Sequence, residues 1–164
     1  MDDVGETDNT QATKGGPNPG LLRPPIIFLC AILLGIVLNR AWPLHLISRS
    51  VRLLGPLVTA CAVVLFLLSY REFRRAGTSV QGSKRSTVIV RTGPYRFSRN
   101  PIYLAFILLV VGLFVWLNNL WLLVTLVPPV AIIALLVIPR EERFLERNFN
   151  GQYSSYKAQV RRWL

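Results

Sequence analysis

Pro101-Ile-Tyr-Leu-Ala-Phe-Ile-Leu-Leu-Val-Val-Gly-Leu-Phe-Val-Trp-Leu117, then Asn118-Asn119, then Leu120-Trp-Leu-Leu-Val-Thr-Leu-Val-Pro-Pro-Val-Ala-Ile-Ile-Ala-Leu-Leu-Val-Ile138, is the stretch that decides the architecture. Neither apolar run carries a charge. As helices rising ~1.5 Å per residue, the runs measure roughly 26 and 29 Å. That is at or just under the ~30 Å of bilayer hydrocarbon. A two-residue link leaves two such helices no arrangement but an antiparallel hairpin. The end of the second run therefore returns to the side where the first began.

Working outward, two more uncharged runs precede this pair, about Pro24–Leu38 and Leu53–Ser69. Four such segments in 164 residues leave almost no amphipathic surface to face water. The chain is 52% apolar yet carries a formal charge of +11, from 19 Lys and Arg against 8 Asp and Glu. Such hydrophobicity excludes intrinsic disorder. A nucleic-acid-binding module would set its basic residues around a water-soluble core, so no nucleic-acid partner is expected. Cys30 and Cys61 both sit inside apolar runs, which offers neither a disulfide framework nor a zinc site. The expected fold class is all-α: an integral membrane bundle of about four transmembrane helices with a C-terminal amphipathic cytoplasmic helix.

Residues 1–23 start acidic (Asp2, Asp3, Glu6, Asp8) and turn rich in Gly, Pro and Asn, which describes a flexible tail and not a signal peptide. Residues 24–164 are expected to form a single membrane domain. The 71–100 connection holds Arg71, Arg74, Arg75, Lys84, Arg85, Arg91, Arg96 and Arg99 against Glu72 alone, and six more basic residues follow position 139. Asn118-Asn119 carries no charge. The bias of Lys and Arg toward cytoplasmic loops then places the long loop and both termini in the cytoplasm, with Arg40, Arg49 and Arg52 at the opposite headgroups. Pro128-Pro129 should kink or loosen its helix. Beyond Glu141 the sequence reads as two helical pieces broken near Asn150-Gly151. The second sets Tyr153, Tyr156, Val160 and Trp163 on one face, as in a helix lying on a membrane surface.

Chemistry is expected at the cytoplasmic ends of the hairpin. Asn100 before Pro101 is a helix start, Asn as N-cap and Pro at the first helical position. A helix N-terminus favours an anion, and Arg99 adds a cation with bidentate geometry. Across from it stands Arg140-Glu141-Glu142-Arg143, carboxylates where a helix C-terminal end favours cations. Arginines snorkelling to lipid phosphates and a solvated, salt-bridged Glu pair would also explain these residues. An anion-binding helix start facing a cation-binding carboxylate suits a zwitterion, most simply an amino-acid headgroup.

The run Gly93-Pro-Tyr-Arg-Phe-Ser-Arg-Asn-Pro-Ile-Tyr103, the hairpin, and Glu141-Glu142-Arg-Phe-Leu145 through Phe149, Tyr153, Tyr156 and Val160-Arg-Arg-Trp163 resemble the isoprenylcysteine carboxyl methyltransferase family. That family groups with the phospholipid N-methyltransferases. The resemblance covers about residues 77–164, the half expected to hold the cofactor site. It implies S-adenosylmethionine as cofactor, with Tyr95, Arg99, Asn100, Pro101, Tyr103, Leu104, Glu141 and Glu142 as its binding residues, and Arg99 and Glu142 as the catalytic pair. It also implies a lipophilic, isoprenoid or lipid-like acceptor, reached laterally between helices loosened by Gly55-Pro56 or Pro128-Pro129. The expected location is a bacterial cytoplasmic membrane, the active site facing the cytoplasm. Asn100 stands where the eukaryotic enzymes carry His, which removes any role for a titrating imidazole. A carboxylate acceptor needs no general base, whereas an amine does. A similar Arg-x-Pro-x-Tyr run in NADPH-dependent membrane reductases makes such a reductase the second reading. Those reductases follow the Tyr with Gly-Glu, where this chain has Leu104-Ala105. Two further readings stay open, a phospholipid N-methyltransferase and a non-enzymatic four-helix membrane protein.

Overall fold

The charge-free runs become helices, and the computed structural model, which describes residues 23–76 and 89–164, shows where each ends. In chain order these are α1 (Pro24–Ala41), a single turn α2 (Arg49–Arg52), α3 (Leu54–Arg75), a 3-10 turn (Gly93–Arg96), α4 (Pro101–Leu117), α5 (Trp121–Ile132), a π turn (Ile133–Val137) and α6 (Ile138–Gln159). Every regular element among the described residues is helical, so the all-α class holds. The N-terminal tail, apart from Arg23, and loop residues 77–88 lie outside the described residues. The α3 helix runs past its apolar segment to Arg75 and so takes Glu72 and three arginines onto its last turns.

The hairpin forms as the two-residue link requires. Asn118 adopts a left-handed conformation at φ 51°, which Asn tolerates better than most side chains. Its Oδ1 accepts the N–H groups of Leu46 and Ile47 at 3.0 and 2.8 Å. Asn119 donates to the Gly35 carbonyl at 3.1 Å, and the Trp121 indole to the Trp42 carbonyl at 2.7 Å. The uncharged link is thus a clamp that binds the 42–47 segment and α1 at one end of the bundle.

Helices pair antiparallel, α1 with α5 and α3 with α4. The second pair is close. A Cβ on Gly55 would collide with the backbone of Trp116, and one on Gly112 with that of Thr59. Small residues permit such backbone approach where the hydrophobic effect cannot drive helices together. Gly55-Pro56 is therefore a tight contact and not the loosened gate expected from sequence. Toward the other end of the same pair, Phe66 meets Phe106 at 5.6 Å, and Phe28 of α1 stacks on Phe106 at 5.2 Å. The core follows as Phe28, Tyr103, Val110, Leu122, Leu126, Ile133, Val137 and Ile138.

Pro128 and Pro129 lie inside α5, and four residues later the helix widens, the Ile138 N–H reaching the Ile133 carbonyl five residues back. Such a wide turn is a rare inclusion in an α-helix. The rod nevertheless continues, and α6 passes through Gly151 to Gln159 without the expected break. Gly costs a helix interior roughly 1 kcal/mol and Asn at most about 0.7. Burial of Tyr153 and Tyr156 on the same turns outweighs that. Val160 is extended, so Val160 and Trp163 lie beyond the helix on which sequence placed them, and Trp163 packs against the core.

Three helical stretches are long and apolar enough to cross a membrane, Pro24–Ala41, Arg49–Arg75 and Trp121–Phe149, and α4 is a shorter apolar helix of 17 residues. Ile26, Leu29, Leu33 and Val37 on α1, and Leu57, Val64 and Leu67 on α3, face outward. An apolar exterior of this extent fits an integral membrane protein.

Candidate active site

The start of α4 and the start of α6 meet at one end of the bundle, where sequence expected its two half-sites to converge. Tyr103, one turn into α4, donates its hydroxyl to Glu141 at 2.8 Å. Arg99 pairs with Glu142 at 2.8 Å, both side chains only 9% exposed. A buried carboxylate is tolerated when paired and hydrogen-bonded, and Glu142 has a second partner. Arg162 grips it bidentately, Nε on Oε1 at 3.2 Å and Nη2 on Oε2 at 2.7 Å. The bidentate cation is therefore Arg162, and neither Arg140 nor Arg143 holds Glu142; Arg143 turns back to the Pro139 carbonyl. Arg162 in turn holds its proton more tightly than a free guanidinium, because Glu142 accepts from it.

The residues after α6 fold back over the start of α4. The Arg99 N–H donates to the Arg161 carbonyl at 3.0 Å. The Ser98 hydroxyl and the Asn100 side-chain amide both donate to the Arg162 carbonyl, at 3.2 and 3.1 Å. Asn100 does occupy the N-cap position, and its carbonyl takes the first helical hydrogen bond from Leu104. Its side chain, however, makes no capping bond, because the returning tail claims the amide. Pro101 is fully buried at the first helical position. Leu104 is partly buried and enters the site through that backbone bond.

Three tyrosines close the site from the side. Arg99 also reaches the Tyr153 hydroxyl at 3.4 Å. Tyr156 donates to the Tyr95 carbonyl at 2.7 Å, and the Arg91 guanidinium sits 5.7 Å from the centre of the Tyr156 ring. Burial pushes the hydroxyls of Tyr95, Tyr153 and Tyr156 up, the last to about 12. All three stay protonated at neutral pH, so none serves as a base. Beneath them the Gly93–Arg96 turn is tied to α3: Thr92 donates to Glu72, and Tyr95 packs edge-on against Phe73 at 5.2 Å. Gly93 has φ +59°, and a side chain there would press on Glu72.

Sequence thus brought together Tyr95, Arg99, Asn100, Pro101, Tyr103, Glu141 and Glu142, and missed the roles of Glu72, Tyr153 and Arg162. The signal for Tyr153 was present in its three-residue spacing from Tyr156, but the stripe faces the site and not lipid. Glu72 was visible as a lone acid on a basic helix end.

One buried polar atom has no partner among the described residues at this site, the Nε of Arg99. An unsatisfied guanidinium N–H calls for an acceptor, and a carboxylate is the acceptor whose geometry suits it. Arg99 and Arg162 stand at the same end of the bundle as Glu141 and Glu142, so the site offers both a cation and an anion to the two ends of an amino-acid headgroup.

Comparison with known proteins fits this arrangement. No solved structure matches the chain. Over 63 residues it is 35% identical to an uncharacterized protein of Haemophilus influenzae, the match covering 38% of this chain and all of that protein. The model for the phospholipid methyltransferase family matches residues 50–152, which takes in α3, the Gly93–Tyr103 run, the hairpin, Glu141 and Glu142. With well over half its length inside that match, Arg99, Tyr103, Glu141 and Glu142 included, the chain belongs to the phospholipid methyltransferase family, a family of S-adenosylmethionine-dependent membrane methyltransferases.

Proposed function

We propose that the site at the start of α4 binds S-adenosylmethionine and methylates the carboxylate of an isoprenoid or lipid-like acceptor at the cytoplasmic membrane face. The observation that carries this is the buried, unsatisfied Nε of Arg99, at the end of the bundle that also holds Glu141 and Glu142. Arg99 would take the cofactor's carboxylate. Glu142 is already held by Arg99 and Arg162, so its part is to fix Arg99, and Glu141 beside Tyr103 would take the ammonium. Bound there, S-adenosylmethionine supplies a methyl group already activated on a sulfonium. The chain's own work is then to align the acceptor and keep water out. The aromatic walls of Tyr95, Tyr153 and Tyr156 and the returning tail serve that end. With those phenols held protonated, a carboxylate acceptor that needs no base fits best. The family's description supports a second acceptor, a phospholipid amine.

Purified full chain in detergent is expected to bind S-adenosylmethionine and not NADPH. Glu141→Gln removes a charge-assisted contact worth roughly 1.5–3 kcal/mol, about tenfold to a hundredfold in affinity, and leaves the thermal midpoint near the parent's. Glu142→Gln unpairs two arginines and lowers the midpoint itself. Binding of NADPH, or a Glu141→Gln variant with the parent's affinity, would sink the assignment. Labelled methyl recovered in a base-labile ester marks the carboxylate acceptor; methyl in a base-stable amine marks the phospholipid.

A further inference from the structure

The last two turns of α3 carry a feature that methyl transfer does not use. Tyr70, Arg71, Arg74 and Arg75 line an open cavity of about 390 Å³ at the same end of the bundle as the active site. Arg71 and Arg75 lean toward Glu72 at 3.9 and 3.5 Å, while their side chains stay more than half exposed. Glu72 is already engaged by Thr92. Arg74 has no ion pair, and the Tyr70 hydroxyl no hydrogen bond, among the described residues. Three guanidiniums against one shared carboxylate leave the cavity positive, with a neutral donor at its rim.

Directly below, toward the middle of α3, Tyr70 stacks on Phe66 at 6.1 Å and Phe66 meets Phe106. Leu67 on the same stretch is 56% exposed. A cationic cavity set on an aromatic and aliphatic strip has the two chemistries of one amphiphile, an anionic head and a hydrocarbon chain. Guanidiniums match the oxygens of a phosphate group in particular.

We infer that this cavity binds the phosphate of an anionic membrane lipid, as a ligand separate from the methyl acceptor. Arg74 and the Tyr70 hydroxyl hold the phosphate, Arg71 and Arg75 add field, and an acyl chain lies along Phe66 and Leu67. Nothing in this requires the methyltransferase assignment, because the ligand needs no methylatable group and binding is the readout.

The test uses the purified full chain in neutral detergent, with phosphatidylglycerol, phosphatidylcholine and soluble glycerol phosphate as probes, and bound lipid counted by native mass spectrometry. Phosphatidylglycerol has no amine to methylate, and phosphatidylcholine has the same phosphate without net charge. The expected result is retention of one phosphatidylglycerol in preference to phosphatidylcholine. Arg74→Gln should reduce that preference by about fivefold, the weight of one arginine at an anionic surface. Arg147→Gln, exposed on α6, should leave it unchanged. Arg74 makes no ion pair among the described residues, so its loss does not disturb the fold, and the thermal midpoint of the variant checks this. Full preference in both Arg74→Gln and the Arg71→Gln/Arg74→Gln double variant would overturn the site. Displacement of the lipid by glycerol phosphate at equal concentration would overturn the lipid as its source and assign a soluble phosphate ester.

Discussion

Tyr156 shows how one side chain joins the two halves of the site. Its hydroxyl holds the Tyr95 carbonyl from α6, and its ring receives Arg91 from the segment before the 3-10 turn. Burial, then the neighbouring Tyr153, push its pKa from 10.0 to about 12. A phenol that holds its proton more tightly in the folded chain stabilises the fold fully below pH 10 and ceases to do so as pH rises to about 12. The thermal midpoint of the parent should therefore fall more steeply across that window than that of Tyr156→Phe. At pH 8 the variant should be less stable by about 1 kcal/mol for the lost hydrogen bond. Equal slopes would show that Tyr156 titrates as if exposed. At this scale the sequence was legible where chemistry is local. The cap position of Asn100 and the convergence of Arg99 with Glu142 follow from short spacings and a hairpin. The partner of the Asn100 side chain did not, because it is a backbone carbonyl 62 residues away.

Among the elements, α3 and α4 are held by contact between backbones, and α6 by the burial of its tyrosines. Two glycines test the difference. Gly112→Ala drives a methyl against the Thr59 backbone and should cost about 1–3 kcal/mol. Gly151→Ala meets nothing within 4 Å and should gain about 1 kcal/mol of helix propensity. Thermal melts in detergent read both, and a destabilised Gly151→Ala would mean that α6 does bend there in solution. The apolar runs foretold α4 to the residue and the starts of α1 and α5 within one. The α1 helix runs three residues past its apolar segment to Ala41, and α5 gives way to the π turn after Ile132. The end of α3 and the unbroken α6 were hidden, since both extend through polar residues that only tertiary contacts make helical.

For the whole molecule, charge is sorted by end. Arg40, Arg49 and Arg52 stand toward the Asn118-Asn119 end, while the arginines of α3, the Gly93–Arg99 segment and α6 lie toward the end of the bundle that holds the site. By the positive-inside bias, the site is expected to face the cytoplasm. After Cys30 and Cys61 are replaced by alanine, a cysteine at His45 should react with an impermeant thiol reagent on intact cells, and one at Ser155 only after permeabilisation. The reverse pattern would invert the orientation. The wide turn at Ile133–Val137 bears on the same whole. It works like an extra tooth on a gear: the residue it adds turns everything downstream by about 100° relative to the prolines above. The membrane-embedded half of the rod and the half that carries Glu141 and Glu142 are thereby kept in phase. A regular α-helix of the same length would keep every side chain of the site and point both carboxylates away from Tyr103 and Arg99.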